Sequence, residues 1–166
     1  HLHGLSTAGE PVLRELALWL RRLYPSKTSG WLNPHLPARL AEYYVATKGS
    51  IGPLRSVMDK AFNPLDEKIS QSRSHSALVE MKLPLIYTTN YDAIIERAFE
   101  LKNERCHTIS NIDDIASAPS DVTHVVKFHG TFSDDASLVL TESSYFERLQ
   151  FESAIDIKLR ADTLGR

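Results

Sequence analysis

At residues 83–92 the sequence reads LPLIYTTNYD, an apolar, strand-forming run that ends abruptly in polar side chains. Its proline stands near the start, where the missing N–H removes little from a strand ladder. A short, continuous apolar run of this kind predicts a buried parallel strand. The next residues, 93–101, carry Ile94, Ile95 and Ala98 between charged residues and predict a helix. A strand followed at once by a helix is the repeating unit of α/β proteins.

The sequence on either side of this unit predicts further helices and strands. Apolar residues at steps of three and four predict helices at 10–23, 37–47 and 51–62, and a shorter helix is predicted at 74–79. Strands are predicted at 106–109, 122–128 and 137–140. Thr141 or Ser144 is expected to cap the next helix, and Ser144 with Glu147 matches the spacing of a capping box.

This order of elements indicates the fold class. Strands alternating with helices predict an α/β fold, specifically a Rossmann-like, mostly parallel sheet with helices on both faces. The helical stretch around residues 34–80 is expected to be an inserted portion between the strands. In such sheets, ligands bind at the carboxyl ends of the strands.

Composition excludes several classes of protein. The chain has 166 residues, 42% hydrophobic and 24% charged, which suits a single domain over residues 1–166. A net charge of −2 provides no clustered positive surface for nucleic acid or an anionic membrane. No apolar run approaches the roughly 20 residues of a membrane-spanning helix, and the start lacks the pattern of a signal peptide. We expect a cytoplasmic protein that acts on a small soluble ligand and binds neither nucleic acid nor a membrane.

The cysteine content restricts metal chemistry. Cys106 is the only cysteine, so the chain cannot form an internal disulfide or a four-cysteine zinc site. His1 and His3 stand at the start without further ligands nearby and are given no role. We expect no metal site and no zinc.

Two polar groups follow predicted strands. One is residues 88–92, and the other is the Lys-Phe-His-Gly segment at 127–130. The chain between Asn90 and His129 is long enough for a helix, a connector and a further strand, so the two strand ends can lie side by side. Asn90 or Asp92 is also a good cap for the helix that follows. Histidine titrates near neutral pH, and a glycine after it lets a ligand approach the backbone closely.

These segments resemble the sirtuin-like domains of prokaryotic NADases. Residues 86–92, IYTTNYD, with Glu96 shortly after, are similar to the Thr-Thr-Asn-Tyr-Asp signature of that family. Residues 125–132, VVKFHGTF, followed by 137–142 and Tyr145, resemble its Lys-x-His-Gly segment and the strand and helix after it. Together with SHSAL at 74–78, the resemblance covers about residues 36–148.

The resemblance implies roles for individual residues. In that family the asparagine matching Asn90 orders the nicotinamide ribose and a water, and the histidine matching His129 acts as a base on the ribose hydroxyls. Asp92 would hold either the nicotinamide pocket or the Asn90 loop, and both roles stay open. NAD, as substrate, would also contact residues beside these: Thr88, Thr89 and Gly130.

The amino-terminal segment is less complete. Residues 4–11, GLSTAGEP, resemble the tail of the family's Gly-Ala-Gly-x-Ser loop, whose backbone N–H groups meet the pyrophosphate of NAD. This assigns Gly4 and Ser6 to NAD binding, although a simple helix cap by Ser6 or Thr7 accounts for the segment equally well. The family has a strand before this loop and continues past Arg166. We therefore expect a partial domain that lacks its first strand and its carboxyl-terminal strands.

The resemblance leads to one main hypothesis and two alternatives. The main one is NAD glycohydrolysis, releasing nicotinamide and ADP-ribose, in bacterial anti-phage defence by NAD depletion. The first alternative is an NAD-dependent protein deacylase, although those sirtuins usually carry a four-cysteine zinc ribbon where this chain has Ser133, Asp134 and Asp135. The second is a non-catalytic nucleotide-binding assembly module. The family also implies a homo-oligomer in the bacterial cytoplasm, controlled by an additional effector or sensor domain or partner protein.

Overall fold

The protein is described by a computed structural model over residues 36–164. The predicted helix at 10–23 and the candidate residues Gly4 and Ser6 lie outside this range. The helices are α1 Leu36–Lys48, α2 Gly52–Ala61, α3 Asp66–Ser70, α4 Arg73–Glu80, α5 Ile94–Leu101, α6 Ile112–Ala116, α7 Glu142–Leu149 and α8 Ala154–Leu164. The strands are β1 Leu85–Thr88, β2 Cys106–Ile109 and β3 Thr123–Lys127. No helix in residues 36–164 is long and apolar enough to cross a membrane.

The helical portion before β1 matches the apolar spacing of the sequence. Helices α1, α2 and α4 confirm the predictions at 37–47, 51–62 and 74–79. Helices α3, α6 and α8 were not predicted. A single turn such as α3 or α6 shows little periodicity, and the apolar residues Ile155, Ile157 and Leu159 of α8 stand at steps of two rather than three or four. Helix α6 begins with a capping box in which Asn111 and Asp114 exchange side-chain and backbone hydrogen bonds.

The three strands form a parallel sheet in the order β1-β3-β2. Thr88 of β1 pairs with Lys127, and Thr108 of β2 pairs with Val125. Strand β3 therefore lies in the centre, and Val125 and Val126 are completely buried. The predicted Rossmann-like parallel sheet is confirmed, and its strand order makes the ends of β1 and β3 neighbours.

Helices cover both faces of the sheet, as predicted. On one face, Ile86 packs with Val79 of α4 and Phe99 of α5. On the other, Ile109 and Val126 pack with Ile155 of α8. Alternate residues of a strand point to opposite faces, so β1 and β2 each contribute to both cores.

The predicted strand at 137–140 is wrong. Residues 135–137 form a turn of 3₁₀ helix, and the buried residues Leu138 and Val139 run on without joining the sheet. The Val139 N–H donates to the carbonyl of His129 at 2.9 Å. A short run of apolar residues such as 138–140 indicates burial, and Leu138 and Val139 are buried without pairing to another strand.

The cap of α7 is formed by Thr141. Its hydroxyl accepts from the Ser144 N–H, and the Ser144 hydroxyl accepts from the Thr141 N–H. The capping box therefore joins Thr141 to Ser144. The pairing of Ser144 with Glu147 suggested by the sequence is one turn too late.

Candidate functional site

The loops that carry Asn90 and His129 run side by side at one edge of the sheet. The Phe128 N–H donates to the Thr88 carbonyl at 2.8 Å, which extends the pairing of β1 and β3 past their last residues. Farther along, the Phe132 N–H donates to the Tyr91 carbonyl at 3.3 Å. Carboxyl ends of adjacent parallel strands meet at the same edge. The sequence prediction that these two strand ends are neighbours is confirmed.

The loop after β1 holds its shape by local hydrogen bonds. The Thr88 hydroxyl accepts from the Asn90 N–H at 3.1 Å, and a carboxylate oxygen of Asp92 accepts from the Ile94 N–H at 3.1 Å. Asp92, rather than Asn90, thus accepts a hydrogen bond from a free backbone N–H in the first turn of α5. Asn90 and Thr89 are exposed, and within residues 36–164 the Asn90 side-chain amide has no hydrogen-bond partner. The shape of the loop therefore comes from Thr88 and Asp92 and not from the Asn90 side chain.

His129 lies in an aromatic environment. The Tyr145 ring meets it edge-on, with ring centroids 5.3 Å apart. The rings of Phe128 and Tyr91 lie at 5.6 and 6.4 Å. Burial among these rings, aided by the nearby charge of Arg148, lowers the pKa of His129 below its ordinary value. The imidazole is therefore neutral near physiological pH and able to accept a proton.

Helix α7 supplies two residues of this environment that the sequence did not identify as functional. Tyr145 lies against His129, and Arg148 places its guanidinium 5.0 Å from the centroid of the Phe128 ring. Arg148 is held there by a 3.3 Å ion pair with the fully buried Asp156. Tyr145 stands in a segment that resembles the family pattern. No sequence signal marks Arg148, because its position depends on its contacts with Asp156 and the Phe128 ring.

Tyr91 serves this site as a donor. Its hydroxyl donates to the Val139 carbonyl at 2.8 Å. Burial, with the Tyr145 hydroxyl nearby, raises the pKa of Tyr91 well above its ordinary value. Tyr91 stays protonated and links the Asn90 loop to the segment that precedes α7.

Gly130 is required by the fold. Its φ is +84°, and a Cβ built at this position would lie 2.1 Å from the Ser137 carbonyl oxygen. The nearby Thr131 N–H donates to the Ser137 hydroxyl at 3.0 Å. The close approach that the glycine permits within the chain is therefore to the backbone of residue 137.

The metal-ligand chemistry of the described residues is limited. Residues 36–164 contain no group of three or more His, Cys, Asp or Glu side chains placed to hold a metal ion.

Burial raises the pKa of the Cys106 thiol to about 11, with Glu96 and Glu100 adding to the effect. The thiol is therefore protonated and a poor nucleophile.

Comparisons with known proteins bear on the family. The model of the SIR2-like domain family matches residues 84–166, which include both loops of the site. The NAD(+) hydrolase ThsA of Enterococcus faecium is 31% identical over 108 residues, and the protein of that name from Bacillus cereus (strain MSX-D12) is 27% identical over 108 residues. Each match covers 64% of this chain and 22% of the relative, so the chain spans under a quarter of these curated relatives. Because the family model matches half of the chain and the fold has the parallel sheet, this chain belongs to the SIR2-like domain family.

Proposed function

We propose that this domain hydrolyses NAD+ to nicotinamide and ADP-ribose. The observation that carries the proposal is the adjacency of the Asn90 and His129 loops at the carboxyl ends of β1 and β3. One residue offers an unpaired amide and the other a neutral imidazole. Similarity to two proteins named NAD(+) hydrolase supports the same reaction.

The reaction breaks the bond between the ribose and the nicotinamide nitrogen. The electron pair of that bond returns to the pyridinium ring, which leaves as neutral nicotinamide, and positive charge develops on the ribose carbon. A water oxygen bonds to that carbon and loses a proton, which completes ADP-ribose. Asn90 can both donate to and accept from the ribose and the water, so it orients them. His129 accepts a proton from a ribose hydroxyl, and the oxygen left behind stabilises the positive charge that develops on the ribose carbon. The proton lost by the water restores that hydroxyl, and His129 releases its own proton to solvent.

The remaining contacts to NAD+ are proposed from residues of these two loops and from the amino-terminal segment. Thr88, Thr89 and Asp92 shape the loop that carries Asn90, and Gly130 follows His129 directly. Gly4 and Ser6 are proposed to bind the pyrophosphate through backbone N–H groups. The carboxylate of Asp92 already accepts from the Ile94 N–H, which favours its role in holding the loop.

The test is NAD+ turnover by the full-length protein and its Asn90→Ala and His129→Ala variants. Nicotinamide and ADP-ribose are separated by chromatography, with and without an acetylated peptide. Thermal unfolding of each variant confirms that it is folded, and His124→Ala is the matched control because His124 lies on β3 but bonds to the Pro119 carbonyl, away from this edge. We expect release of nicotinamide without peptide, a loss of at least about 10²-fold in both site variants, and no loss in the control.

Other outcomes identify other functions. Turnover only with the acetylated peptide shows a protein deacylase. Stabilisation of the wild-type protein by NAD+ without any nicotinamide release shows a non-catalytic binding module. Either result rejects the hydrolase proposal.

We further propose that this hydrolysis depletes NAD+ in the bacterial cytoplasm as a defence against phage, in a homo-oligomer controlled by a further domain or partner. The support is the family resemblance of residues 86–92 and 125–132. Cellular NAD+ measured during infection tests the proposal. A fall that requires His129 is the expected result, and NAD+ levels unaffected by His129→Ala would reject it.

A further inference from the structure

A buried lysine joins the two loops of the site. Lys127 is the last residue of β3, two positions before His129, and its side chain is 1% exposed. Its ammonium lies 2.8 Å from one carboxylate oxygen of Glu96 and 3.1 Å from the other. It also donates to the backbone carbonyl of Asp92, two positions after Asn90. One ammonium group therefore bonds to the loop of Asn90 from the strand that leads to His129.

Glu96 extends this connection to the rest of the sheet. It lies on α5 with 14% of its side chain exposed, and it accepts from the Thr108 hydroxyl of β2 at 3.3 Å. The cluster of Lys127, Glu96, Thr108 and the Asp92 carbonyl thus links β2, β3, α5 and the loop after β1. Every buried polar atom in it has a partner.

Stability alone does not explain a charged pair at this position. Removing an ammonium and a carboxylate from water is expensive, and apolar side chains of similar volume are often at least as stabilising. The two residues of β3 that precede Lys127, Val125 and Val126, are apolar and completely buried. A bond from an ammonium to a specific carbonyl does, however, fix geometry in a way that an apolar side chain cannot.

We propose that Lys127 is a positioning residue, which holds the Asp92 carbonyl and thereby sets Asn90 against His129. The inference rests on the proposed NAD+ hydrolysis and adds a residue to its machinery. Lys127 is buried under the loop and acts through Asn90. Its loss is therefore expected to lower kcat more than it raises KM, since a displacement of about 1 Å at reacting groups can reduce the rate about 10²-fold.

Two variants of the full-length protein separate positioning from stability. Lys127→Met removes the ammonium and leaves the Glu96 carboxylate buried without its cation, so both kcat and the thermal midpoint should fall. The double variant Lys127→Met/Glu96→Gln removes both charges. It should recover much of the thermal midpoint, yet kcat should stay about 10²-fold low because the bond to the Asp92 carbonyl is still missing.

The matched control is Lys102→Met. Lys102 directly follows α5 and forms an exposed 3.0 Å pair with Glu80, the last residue of α4. Its kcat, KM and thermal midpoint should match the wild-type protein, because exposed pairs contribute little. If kcat of the double variant recovers together with its thermal midpoint, Lys127 has only a structural role and the proposal is rejected.

Hydrogen–deuterium exchange gives a readout that does not depend on turnover. In the double variant, backbone amides of residues 88–93 should exchange faster than in the wild-type protein, while those of β3 stay protected. Unchanged exchange at 88–93 rejects the positioning role even if activity falls. A wild-type protein that releases no nicotinamide rejects the proposed hydrolysis instead, and the exchange of 88–93 then still decides whether Lys127 holds the loop.

Discussion

The protonation state of His129 is set by the side chains around it. Its pKa is lowered first by burial and then by the charge of Arg148, so the neutral form persists below the usual pKa of about 6.5. If neutral His129 is the base, activity is retained at neutral pH and lost as the pH falls through this lowered pKa. Folding stability follows the same direction: because the unfolded chain binds the proton more readily, stability falls with decreasing pH through this range.

The Arg148→Met variant should move the acid limb of the pH–activity profile to higher pH. Removing the guanidinium takes away a like charge and leaves the Asp156 carboxylate unpaired, and both changes favour the protonated imidazole. The measurement is kcat/KM for NAD+ between about pH 5 and 8, the range in which histidine titrates. Arg148→Lys keeps a charge near this place and should shift the limb less. An acid limb that stays in place, or moves to lower pH, in Arg148→Met contradicts this account.

Two glycines with positive φ differ in what a side chain would meet. Gly130 has φ +84° and no room, because a Cβ would lie 2.1 Å from the Ser137 carbonyl oxygen, whereas Gly49 has φ +75° and open space. Gly49→Ala should cost about 1 kcal/mol of the free energy of unfolding, from backbone conformation alone. Gly130→Ala should cost at least about 2 kcal/mol more, since the backbone of residue 137 must move. Urea unfolding measures both, and equal losses would show that the contact with residue 137 is easily relieved.

At the scale of elements, the start of α7 places Tyr145 and Arg148 beside His129. Thr141→Ala removes the hydroxyl that accepts from the Ser144 N–H at 3.1 Å, and it should cost about 1 kcal/mol of the free energy of unfolding. Because α7 carries two neighbours of His129, kcat/KM for NAD+ should also fall. The effect on activity distinguishes this cap from one that serves stability alone.

Thr163→Ala is the control for that substitution. Its hydroxyl donates to the Leu159 carbonyl within the last turns of α8, is exposed, and forms no cap at a helix start. Its free energy of unfolding should change by no more than about 0.5 kcal/mol. If Thr141→Ala and Thr163→Ala behave alike in urea unfolding, the capping box of α7 contributes nothing measurable.

At the scale of the whole molecule, β2 forms the edge of the sheet opposite β1. Its last residue, Ile109, is completely buried and packs with Val126 of β3 and Ile155 of α8. Ile109→Ala should cost about 2–5 kcal/mol of the free energy of unfolding, because it leaves a cavity in this core. Ile112→Ala is the matched control, since Ile112 is nearby in sequence but 65% exposed, and it should change stability by about 0.5 kcal/mol or less. Similar denaturant midpoints for the two variants would show that this face of the sheet is not a packed core.

The sequence by itself determined the local elements and the two loops. The spacing of apolar residues located α1, α2, α4 and α5, because side-chain periodicity follows from backbone geometry. Short runs of strand-forming residues located all three strands. Polar residues at the ends of two such runs singled out Asn90 and His129. Local signals failed at the single-turn helices and at α8, and also at 137–140, where buried residues look like a strand but have no partner.

Only the tertiary structure decided the order of the strands and the groups that meet at their ends. The central position of β3 makes the Asn90 and His129 loops neighbours, and the ion pair of Arg148 on α7 with Asp156 on α8 keeps Arg148 near His129. The sequence marks Lys127 as part of the Lys-Phe-His-Gly segment but not its partners, and only the fold shows that it binds the Asp92 carbonyl and Glu96. These contacts join residues far apart in the chain. They depend on how whole faces pack together, which no short window of sequence records.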